Sequence, residues 1–581
     1  MRGRLFRGSS VDNAALAEAL LTVAEALDFL EENPFKAKAY QKAARSIMEM
    51  GAPARDIIEH GDITTVAGIG SSIGSVLKTW VVDRDFSLLT DLKARLPHGY
   101  FEMIKVPGLG MKKLRTLHRE LGLSSVDDLL AAIDDGRLAG LKGFSDKGIA
   151  RMRRSVLDVI GYRGWYLLDA AWSWMETMIE SLSDAGLSVL PTGVCRRGME
   201  VIEGIELLCL DRDGAHDAVQ SCLGDVPGGR FSRDGSSYSL HHPEKTPVKV
   251  WMEAEESLVP ALFVTTGSPS HLEQALMLGE RRGVRVSRQG VSHSGTVIPV
   301  KDEADIYALL GMPYLPPEVR EGRDMEWKPG VDGMLGGLVT RGDLRGILHV
   351  HTSMSDGHAP LKDMVRAAKD RGYCWIGISD HSRNAYYAGG LSVKDLKRQG
   401  EEIDALNRED PGFTILKGIE SDILPDGSLD YPDNILKQLD FVVASVHSHM
   451  DMDRDAMTER IVRAIRNPFT SMIGHPTGRL LLSRRPYEVD MDAVMEEAAR
   501  QGVSLELNAH PMRLDLDWRL IPSFVSRGGR LAINPDAHTP DGLDDVRYGI
   551  VIARKGFLTS RACINCLDAR TAKEALAARW S

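Results

Sequence analysis

Nine side chains of the types that bind metal ions lie between residues 340 and 581, and nearly all of them end a short apolar run. Each run has four to eight residues, mostly β-branched or large and apolar, which is typical of a buried parallel strand. The nine are His349, His351 and Asp356 in ILHVHTSMSDG, His381 in WIGISDHS, Glu420 in TILKGIESDI, His447 in FVVASVHSH, His475 in SMIGHPTGR, and Asp536 and His538 in LAINPDAH.

A series of strands that each deliver a His, Asp or Glu at the carboxyl end predicts an α/β barrel with its active site on that face. Imidazole and carboxylate together suit Zn²⁺, Mn²⁺ or Fe²⁺ better than Ca²⁺ or Mg²⁺. A single histidine at a strand end would usually have a structural role, but nine residues in segments of one pattern are hard to obtain by chance. The residues therefore predict a metal-dependent hydrolase.

The motifs HVHT with SDG, SDHS, GIESDI, SVHS, GHPTGR and PDAH occur in this order over residues 340–581. In this order they closely resemble the PHP (polymerase and histidinol phosphatase) domain. The GHPTGR and NAHPMRLDL segments look most like the PHP domain that is attached to bacterial and archaeal family X DNA polymerases. The resemblance implies a distorted barrel of seven strands that holds three metal ions, which we expect to be Mn²⁺ or Zn²⁺.

The resemblance also implies how the ligands are shared among the three ions. The implied sets are His349, His351, Glu420 and Asp536 for the first ion, the bridging Glu420 with His447 and His475 for the second, and His381 and His538 with either Asp356 or His358 for the third.

Two segments of the N-terminal half place a G-x-G turn between an apolar residue and an aliphatic helix. They are VAGIGSSIGSVLKTW at 66–80 and VPGLGMKKLRTLHRELG at 106–122. This is the helix-hairpin-helix pattern, in which the glycines permit a tight turn whose amides point at a phosphate oxygen.

An ordinary helical turn would explain one copy of this pattern, whereas two copies favour DNA binding. A degraded third copy is LKGFSDKGIARM at 141–152, with Ser145 in place of the second glycine. The predicted DNA-binding residues are Gly68, Gly70, Gly108, Gly110, Lys112 and Lys113.

The N-terminal half also resembles family X DNA polymerases, with a lyase-like helical domain, fingers, a nucleotidyltransferase palm and a thumb. The segment PTGVCRRGMEVIEGIELL lies over the palm motif of that family. The departures fall on the metal-binding carboxylates, because Gly204 and Glu206 replace the first two aspartates and the third aligns with Lys249. Two-metal phosphoryl transfer needs clustered carboxylates. We therefore expect this palm to be a degenerate polymerase site with a structural or DNA-positioning role.

Composition limits the class of protein. The 581 residues carry a net charge of −11, and the first 150 hold 20 basic and 20 acidic side chains. A strongly basic DNA-coating domain is thereby excluded, while phosphate contacts through backbone amides are not. No run of about 18 uncharged apolar residues occurs, and the basic N-terminus lacks a compact apolar core, so we expect neither a membrane span nor a signal peptide. The six cysteines fit a reducing cytosol. We expect a cytoplasmic protein, and we interpret the lone CxxC of Cys563 and Cys566 as coincidence.

The predicted fold is multidomain. It combines an all-α helix-hairpin-helix region, an α+β nucleotidyltransferase-like palm and thumb, and a C-terminal α/β (βα)7 PHP barrel. Pro-rich GMPYLPPEVREGR at 311–323 and the glycines up to 342 indicate a linker ahead of the barrel. The predicted boundaries are 1–88 for the lyase-like domain, 89–165 for the fingers-like domain, 166–323 for palm and thumb, 324–339 for the linker, and 340–581 for the barrel.

The leading hypothesis is a Mn²⁺- or Zn²⁺-dependent DNA phosphodiesterase, a 3′-5′ exonuclease or 3′-end-processing enzyme of DNA repair that could also cleave at abasic sites. We expect a monomer that acts on the 3′ ends of gapped or nicked DNA. Arg479 is a candidate clamp for the scissile phosphate, although a salt bridge at the barrel rim would explain it nearly as well. Asp380 is a candidate partner that orients an imidazole. The alternatives are a phosphomonoesterase of the histidinol-phosphatase kind, a still-active family X polymerase, and a non-enzymatic DNA-repair scaffold.

Overall fold

A computed structural model describes residues 13–48, 50, 53–83 and 87–579 of the chain. Residues 1–12, on which the prediction about a signal peptide rests, lie outside this part. The chain divides into two compact units, of which one comprises residues up to 163 with 482–484 and the other comprises 164–481 and the residues from 485 onward. No described helix is both long and apolar enough to cross a membrane.

The regular elements described in the first unit are all helical. Helix α2 begins at Pro34, where the missing proline N–H costs no hydrogen bond. Buried aliphatic side chains of the successive helices form one core, which includes Leu20, Leu77, Leu117 and Leu129. The helices are α1 (Asn13–Phe29), α2 (Pro34–Met48), α3 (Ala54–His60), α4 (Ser71–Lys78), α5 (Ser87–Arg95), α6 (Tyr100–Met103), α7 (Met111–Leu121), α8 (Val126–Asp134) and α9 (Asp146–Gly161).

The second unit begins with a mixed α+β region built on a five-stranded sheet of order β2-β4-β7-β6-β5, in which only the β4–β7 pair is parallel. Strands β1 and β3 form a separate antiparallel pair. The elements are β1 (Tyr166–Leu167), α10 (Leu168–Asp184), β2 (Val189–Thr192), α11 (Gly193–Arg197), β3 (Val201–Ile202), β4 (Ile205–Leu210), α12 (Ala215–Gly224), β5 (Arg230–Asp234), β6 (Ser237–His242) and β7 (Lys245–Glu253).

A smaller region follows in which helices pack against a three-stranded antiparallel sheet of order β10-β9-β8. Its core includes Phe263, Val284 and Tyr307. The elements are α13 (Glu255–Thr266), α14 (Pro269–Arg281), β8 (Val284–Ser287), β9 (Gly290–His293), β10 (Thr296–Ile298), α15 (Glu303–Leu309) and α16 (Val331–Leu335).

The rest of the chain is a nearly closed barrel of seven parallel strands in sequence order. The strands are β11 (Gly346–Val350), β12 (Trp375–Ile378), β13 (Thr414–Asp422), β14 (Phe441–Ser445), β15 (Met472–Ile473), β16 (Ser504–Asn508) and β17 (Leu531–Asn534). A bridge between Val350 and Ala537 joins the first and last strands at their carboxyl ends. The helices are α17 (Leu361–Asp370), α18 (Val393–Glu409), α19 (Asp433–Leu436), α20 (Arg454–Arg466), α21 (Met491–Gln501), α22 (Ile521–Ser526), α23 (Val546–Lys555) and α24 (Ala569–Leu576).

Alternate strand positions fill the two faces of the barrel sheet. One buried cluster takes Trp375, Leu416, Phe441 and Met472 from four strands in succession. The neighbouring positions, such as Ile376, join a different cluster with the surrounding helices. Period-2 alternation of this kind is expected when both faces of a sheet are buried. The short apolar runs of the sequence are thereby explained, and the polar residues that follow them all leave the barrel at one rim.

The barrel is packed against the mixed region rather than separated from it by its linker. The Trp172 and Tyr548 rings lie 5.7 Å apart between centroids, and the buried Lys555 ammonium donates to Glu321 at 2.5 Å. Arg197 donates to the same carboxylate at 2.9 Å. Because helix α23 of the barrel carries both Tyr548 and Lys555, cutting the chain near residue 340 would expose buried apolar and charged groups.

Candidate functional site

Six of the seven barrel strands, all but β16, contribute to one group of polar side chains at the carboxyl rim. His349 lies within β11, and Glu420 lies within β13. The other residues follow their strands by one to four positions, except for Asp356, which belongs to the loop after β11. The structure brings together all nine predicted ligands, which we call the ligand group: His349, His351, Asp356, His381, Glu420, His447, His475, Asp536 and His538.

Glu420 is the centre of this group. Its side chain is 1% exposed, and each of its carboxylate oxygens faces more than one histidine. The nearest imidazole nitrogens are His349 Nε2 at 3.3 Å, His447 Nε2 at 3.2 Å and His475 Nε2 at 3.1 Å from Oε1, and His381 Nδ1 at 2.9 Å and His351 Nε2 at 3.8 Å from Oε2.

Two further carboxylates complete the group. Asp536 Oδ1 lies 3.2 Å from His351 Nε2 and 3.5 Å from His349 Nε2. Asp356 Oδ1 lies 3.3 Å from His538 Nε2, and its Oδ2 lies 3.5 Å from His381 Nε2. Three sets could each hold an ion, since their ligand atoms lie within 4.8 Å of one another: His351, Asp356, His381 and His538; His349, His351 and Asp536; and His381, Glu420 and His447.

The chemistry of these side chains fits metal ions. Six of their buried atoms have no hydrogen-bond partner among the described residues, namely His349 Nε2, both ring nitrogens of His351, His381 Nδ1, Glu420 Oε2 and His475 Nδ1. Buried polar atoms normally have such a partner, and a bound cation would supply one. Of the two alternatives for the third set, Asp356 belongs to the group, whereas His358 is exposed and contacts His538 through its backbone.

Electrostatics keep the carboxylates ionised despite their burial. Burial alone would raise the pKa of Glu420, but His447, His349 and His381 hold it well below its usual value. The same balance, with His349 and His351 as the attracting groups, places the pKa of Asp536 well below its usual range. Burial, with a contribution from Arg513, lowers the pKa of His475 to about 4. Anionic carboxylates and a neutral imidazole are the protonation states that bind metal ions. Burial alone would lower the pKa of His447, but Glu420 and Asp422 raise it to about 9, so that imidazole must release a proton when it binds a metal ion.

Backbone strain is concentrated at the same place. His349, His475 and Asp536 have φ angles of 57°, 27° and 54°, in the left-handed region that side chains other than glycine rarely adopt. Such residues cost about 1–3 kcal/mol each and are characteristic of functional sites. At His349 the strain accompanies a register shift, since Ile347 pairs with Ile376 whereas Val350 pairs with Ile378.

Two carboxylates outside the predicted set orient the histidines. Glu506 accepts from His349 Nδ1 at 2.5 Å and from the His475 backbone N–H at 2.6 Å. Asp422 faces His447 Nδ1 at 2.7 Å. The ring contacts direct the Nε2 atoms of His349 and His447 toward Glu420, as expected when a carboxylate fixes the tautomer of a metal ligand, whereas the contact with His475 fixes its backbone. The signals in the sequence were an acidic residue inside the apolar run VSLELN and a second acidic residue two positions after Glu420.

Asp380, which we expected to orient an imidazole, has other partners. Its carboxylate accepts from the backbone N–H and hydroxyl of Thr352, both at 2.7 Å, and from Ser355 Oγ and Gln399 Nε2. These contacts fix the loop between His351 and Asp356. Asp380 therefore supports the site through backbone geometry, because the neighbouring His381 turns toward Glu420 and Asp356 instead.

Arg479 makes contacts within the protein, as in the salt bridge at the barrel rim that we gave as the alternative to a phosphate clamp. Its Nε donates to the Arg513 carbonyl at 2.9 Å, its Nη1 donates to Asp517 at 2.9 Å, and its Nη2 donates to the Leu514 carbonyl. Arg513 is the arginine that faces the ligand group, with Nε 3.5 Å from Asp536 Oδ2. Its buried Nη1 has no hydrogen-bond partner among the described residues.

The predicted polymerase site lacks a carboxylate cluster. Glu206 on β4 pairs directly with Lys249 on β7, which is the juxtaposition that the sequence alignment suggested. Lys249 Nζ lies 3.7 Å above the Trp251 ring, and the Arg288 guanidinium lies 4.2 Å from the same ring. Gly204 immediately precedes β4. Arg288 is paired with Glu253 at 2.5 Å, so Glu206 is the single carboxylate at the three aligned positions, and one carboxylate beside a lysine is a poor site for a pair of divalent ions.

The G-x-G turns have the geometry that the helix-hairpin-helix pattern predicts. Gly68 and Gly108 have φ angles of 98° and 83°, so each needs the conformational freedom of glycine. Gly70 and Gly110 are the N-cap residues of α4 and α7, and neither helix start has a side-chain cap. The first-turn amides are therefore free of side-chain caps and suited to bind a phosphate.

The residues around the second and third turns differ in their contacts. Lys113 Nζ donates to the Gly108 carbonyl at 3.2 Å, which places an ammonium group at the turn, whereas Lys112 is exposed. The third copy repeats the turn with Gly143 at φ 95°. There Ser145 Oγ accepts from the Gly148 amide at 3.2 Å, so one first-turn amide is already satisfied.

Models of known protein families match separate segments of the chain, in the helical first unit, the α13–α15 region and the barrel. Residues 11–84 match the helix-hairpin-helix domain, residues 261–321 match the DNA polymerase beta thumb, and residues 348–510 match the PHP domain. The latter two segments lie in the α13–α15 region and the barrel.

Relatives of known name are similar to all or part of the chain. A probable phosphatase of Caldanaerobacter subterraneus is 31% identical over 216 residues, which cover 34% of this chain and 77% of that protein. A probable phosphatase of Thermoanaerobacter sp. (strain X514) is 33% identical over 37% of this chain and 88% of its own length. The DNA polymerase/3′-5′ exonuclease PolX of Bacillus subtilis (strain 168) is 33% identical over 569 residues, 96% of this chain and 97% of that protein. With this identity along nearly its whole length, the chain belongs to the PolX family, the family X DNA polymerases that carry a C-terminal PHP domain.

Proposed function

We propose that this chain is a metal-dependent DNA phosphodiesterase that removes nucleotides from 3′ ends at the rim of its barrel. The observation that carries the proposal is the convergence of six imidazole side chains around that rim on the carboxylates of Glu420, Asp536 and Asp356. The similarity to a 3′-5′ exonuclease along 96% of the chain supports the same activity. The substrates that we propose are 3′ ends at gaps and nicks in DNA, processed by a monomer during repair.

The nine side chains are the proposed ligands of Mn²⁺ or Zn²⁺ ions, three in number if each of the three sets binds one. Eight of the nine belong to these sets, and His475 joins them through its contact with Glu420. Such ions, when bound, would activate water for attack on phosphorus and neutralise charge on the phosphoryl oxygens. The protein supplies the rest of the chemistry. Glu506 and Asp422 hold the imidazoles of His349 and His447 in one tautomer and orientation.

Phosphomonoester hydrolysis is the second candidate, because two probable phosphatases are similar to part of the chain. That similarity covers about a third of the chain, whereas the helix-hairpin-helix domain and the thumb are matched by families of their own. A small phosphorylated metabolite would have no use for these turns, so we favour DNA. The test is incubation of 5′-labelled DNA with Mn²⁺, where stepwise shortening from the 3′ end supports the proposal. Release of phosphate from a 3′-phosphorylated end, without shortening, would contradict it.

We propose that Arg513, and not Arg479, holds a phosphoryl oxygen of the substrate. Changing Arg513 to Ala should lower kcat/KM on DNA by about 10²-fold, which is typical for removal of one charge-stabilising donor, and should leave the melting temperature nearly unchanged. The matched variant Arg479→Ala should instead lower the melting temperature, since it leaves the carbonyls of Arg513 and Leu514 without their side-chain donor. Full activity in Arg513→Ala would exclude a role in phosphate binding.

We also propose that the mixed α+β region does not polymerise DNA. A primer–template with all four dNTPs and Mg²⁺ or Mn²⁺ should show no primer lengthening, because Glu206 is the single carboxylate at the three aligned positions and pairs in the sheet with Lys249. The assay should use Glu420→Gln protein, so that degradation by the barrel does not mask extension. Lengthening by more than one nucleotide that disappears in a further Glu206→Ala change would show that the polymerase site is active.

A further inference from the structure

Two neighbouring tyrosines, Tyr386 and Tyr387, are exposed to solvent beside the ligand group. Tyr386 is 87% exposed and Tyr387 is 64% exposed, and Tyr386 is the most exposed large hydrophobic residue in the part of the chain that the structure describes. Their ring centroids are 6.0 Å apart, in an edge-to-face arrangement. Large aromatic side chains normally bury most of their surface, so two exposed rings in succession need an explanation.

The loop that carries these tyrosines is held rigidly. It leaves β12 through His381 and returns at Leu391, whose N–H donates to the His381 carbonyl at 2.8 Å. Asn384 donates from its backbone to Asp430 at 3.0 Å and from its side chain to Asp422 at 2.5 Å. Ala385 and Ala388 are buried on either side of the tyrosines. The backbone is therefore fixed on the protein while the two rings point away from it.

The pair lies next to the proposed ligands. The centroid of the Tyr387 ring is 6.5 Å from that of His381. Partial burial of its hydroxyl and the nearby carboxylates of Asp422, Glu420 and Asp356 all raise the pKa of Tyr387. Tyr387 therefore lies at the edge of the ligand group, with most of its side chain still exposed to solvent.

We propose that Tyr386 and Tyr387 form a stacking platform for the nucleobase of the 3′-terminal nucleotide, which holds the adjoining phosphodiester at the ligand group. The inference rests on the proposed function. A base is separated from its phosphate by one sugar, so a base stacked beside His381 leaves that phosphate within reach of the site. Stacking on an aromatic ring accepts every base, which suits an enzyme that removes nucleotides regardless of sequence.

The size of the exposed surface favours a base over a protein partner. It consists of two rings between the small, buried Ala385 and Ala388, and the polar Ser382, Arg383 and Asn384 precede them in the sequence. Apolar patches that bind proteins usually extend over several hundred Å² or more. A single planar base needs only one ring face, and the edge-to-face pair presents such faces.

The test compares two 5′-labelled DNA strands, one ending in an ordinary nucleotide and one ending in an abasic tetrahydrofuran residue. In the full-length chain, Tyr386→Ala with Tyr387→Ala should lower the rate of terminal cleavage of the ordinary strand by about 10-fold or more. Cleavage of the abasic strand should change less than about twofold, because it has no base to stack. The double Tyr→Phe variant keeps both rings and should cleave both strands like the wild type.

A binding measurement with no hydrolysis gives an independent readout. With a chelator present, a strand ending in 2-aminopurine should lose fluorescence on binding to the wild type and to the double Phe variant, and should lose much less with the double Ala variant. Phe231→Ala removes a 39% exposed ring from β5 and serves as the control that leaves quenching unchanged. Quenching by the double Ala variant that equals the wild type would overturn the inference.

The kinetic outcomes separate failure of this inference from failure of the proposed function. Equal loss on both strands would mean that the tyrosines only support the fold, and no loss on either would mean that they do not contact the base; both results overturn the platform. If the wild type shortens neither strand, the proposed function fails and the platform fails with it. Loss confined to the strand with a terminal base supports both.

Discussion

Changing Glu420 to Gln is expected to abolish DNA hydrolysis, with a loss of at least about 10³-fold in kcat/KM. The five histidines that face Glu420 would then share a neutral amide in place of an anionic carboxylate. A glutamine can offer a metal ion only one neutral oxygen, and its NH₂ group would face imidazole nitrogens or cations. The variant should therefore also bind fewer metal ions, measured by elemental analysis of the purified protein.

The matched control is Glu497→Gln. Glu497 is an 8% exposed glutamate of helix α21 in the same barrel, and its carboxylate accepts from Arg466, Arg500 and Gln501. This variant should keep its metal ions and its activity, even if its melting temperature falls. Replacing His349 and His351 together by Ala should reproduce the Glu420→Gln result while DNA binding persists. Undiminished hydrolysis in either ligand variant would mean that the barrel rim is not the site of hydrolysis.

The ligand group could be predicted because of a general property of parallel strands. Each of the nine residues lies close to the end of an apolar run, and the carboxyl ends of parallel strands meet at one rim of a barrel. The identity of Glu420 as the shared centre came only with the family resemblance. Its position is now explained by the inward direction of its side chain from β13, which brings it within 4 Å of histidines from four other strands.

The residues that orient these ligands could not be predicted in the same way. Glu506 and Asp422 contact histidines that are 157 and 25 residues away in the sequence, so strand order and register decide which imidazole each one meets. The register shift at His349 has no marker such as a glycine in ILHVHT. We expected Asp380 to orient an imidazole because it precedes His381. In an extended chain, however, the side chains of neighbouring residues point in opposite directions.

The two arginines show how spacing can mislead. Arg479 was chosen because it follows His475 by four residues, but its guanidinium binds the carbonyls of Arg513 and Leu514. Arg513 lies in NAHPMRLDL, a segment that contributed to the family resemblance without a role for its arginine. Only the structure shows that Arg479 holds the backbone of the loop in which Arg513 lies. In the mixed α+β region, by contrast, the alignment of Lys249 with a missing carboxylate is supported by its pairing with Glu206.

The second large effect is expected at the helix-hairpin-helix turn. Changing Gly108 and Gly110 to Val in the full chain should weaken DNA binding by about 10- to 100-fold, since hydrogen bonds to a charged group contribute about 1.5–3 kcal/mol each. Gly108 has a φ of 83°, which a β-branched residue avoids. Gly110 has an ordinary φ of −68°, so Val at this position would act by covering the first-turn amides.

Gly122→Val is the matched control for this pair. Gly122 ends the same helix α7 at a φ of 68°, and, as at Gly108, a Cβ there would meet no atom within 4 Å. It therefore introduces similar backbone strain without touching the turn that faces the phosphate. DNA binding by Gly122→Val should stay within about threefold of the wild type, and the metal content of all the variants should be equal.

Hydrolysis of a small chromogenic phosphodiester then isolates the contribution of the barrel. The Gly108→Val/Gly110→Val protein should hydrolyse this ester at the wild-type rate while losing most of its activity on long DNA, because the ester reaches the rim without the hairpins. The full chain is preferable to an isolated barrel, since a cut near residue 340 would expose Tyr548 and Lys555. A metabolite phosphatase would show no effect of the glycine changes on either substrate. If DNA degradation is unaffected while the ester is also cleaved normally, the hairpins do not deliver the substrate, and the case for DNA over a small phosphate ester is lost.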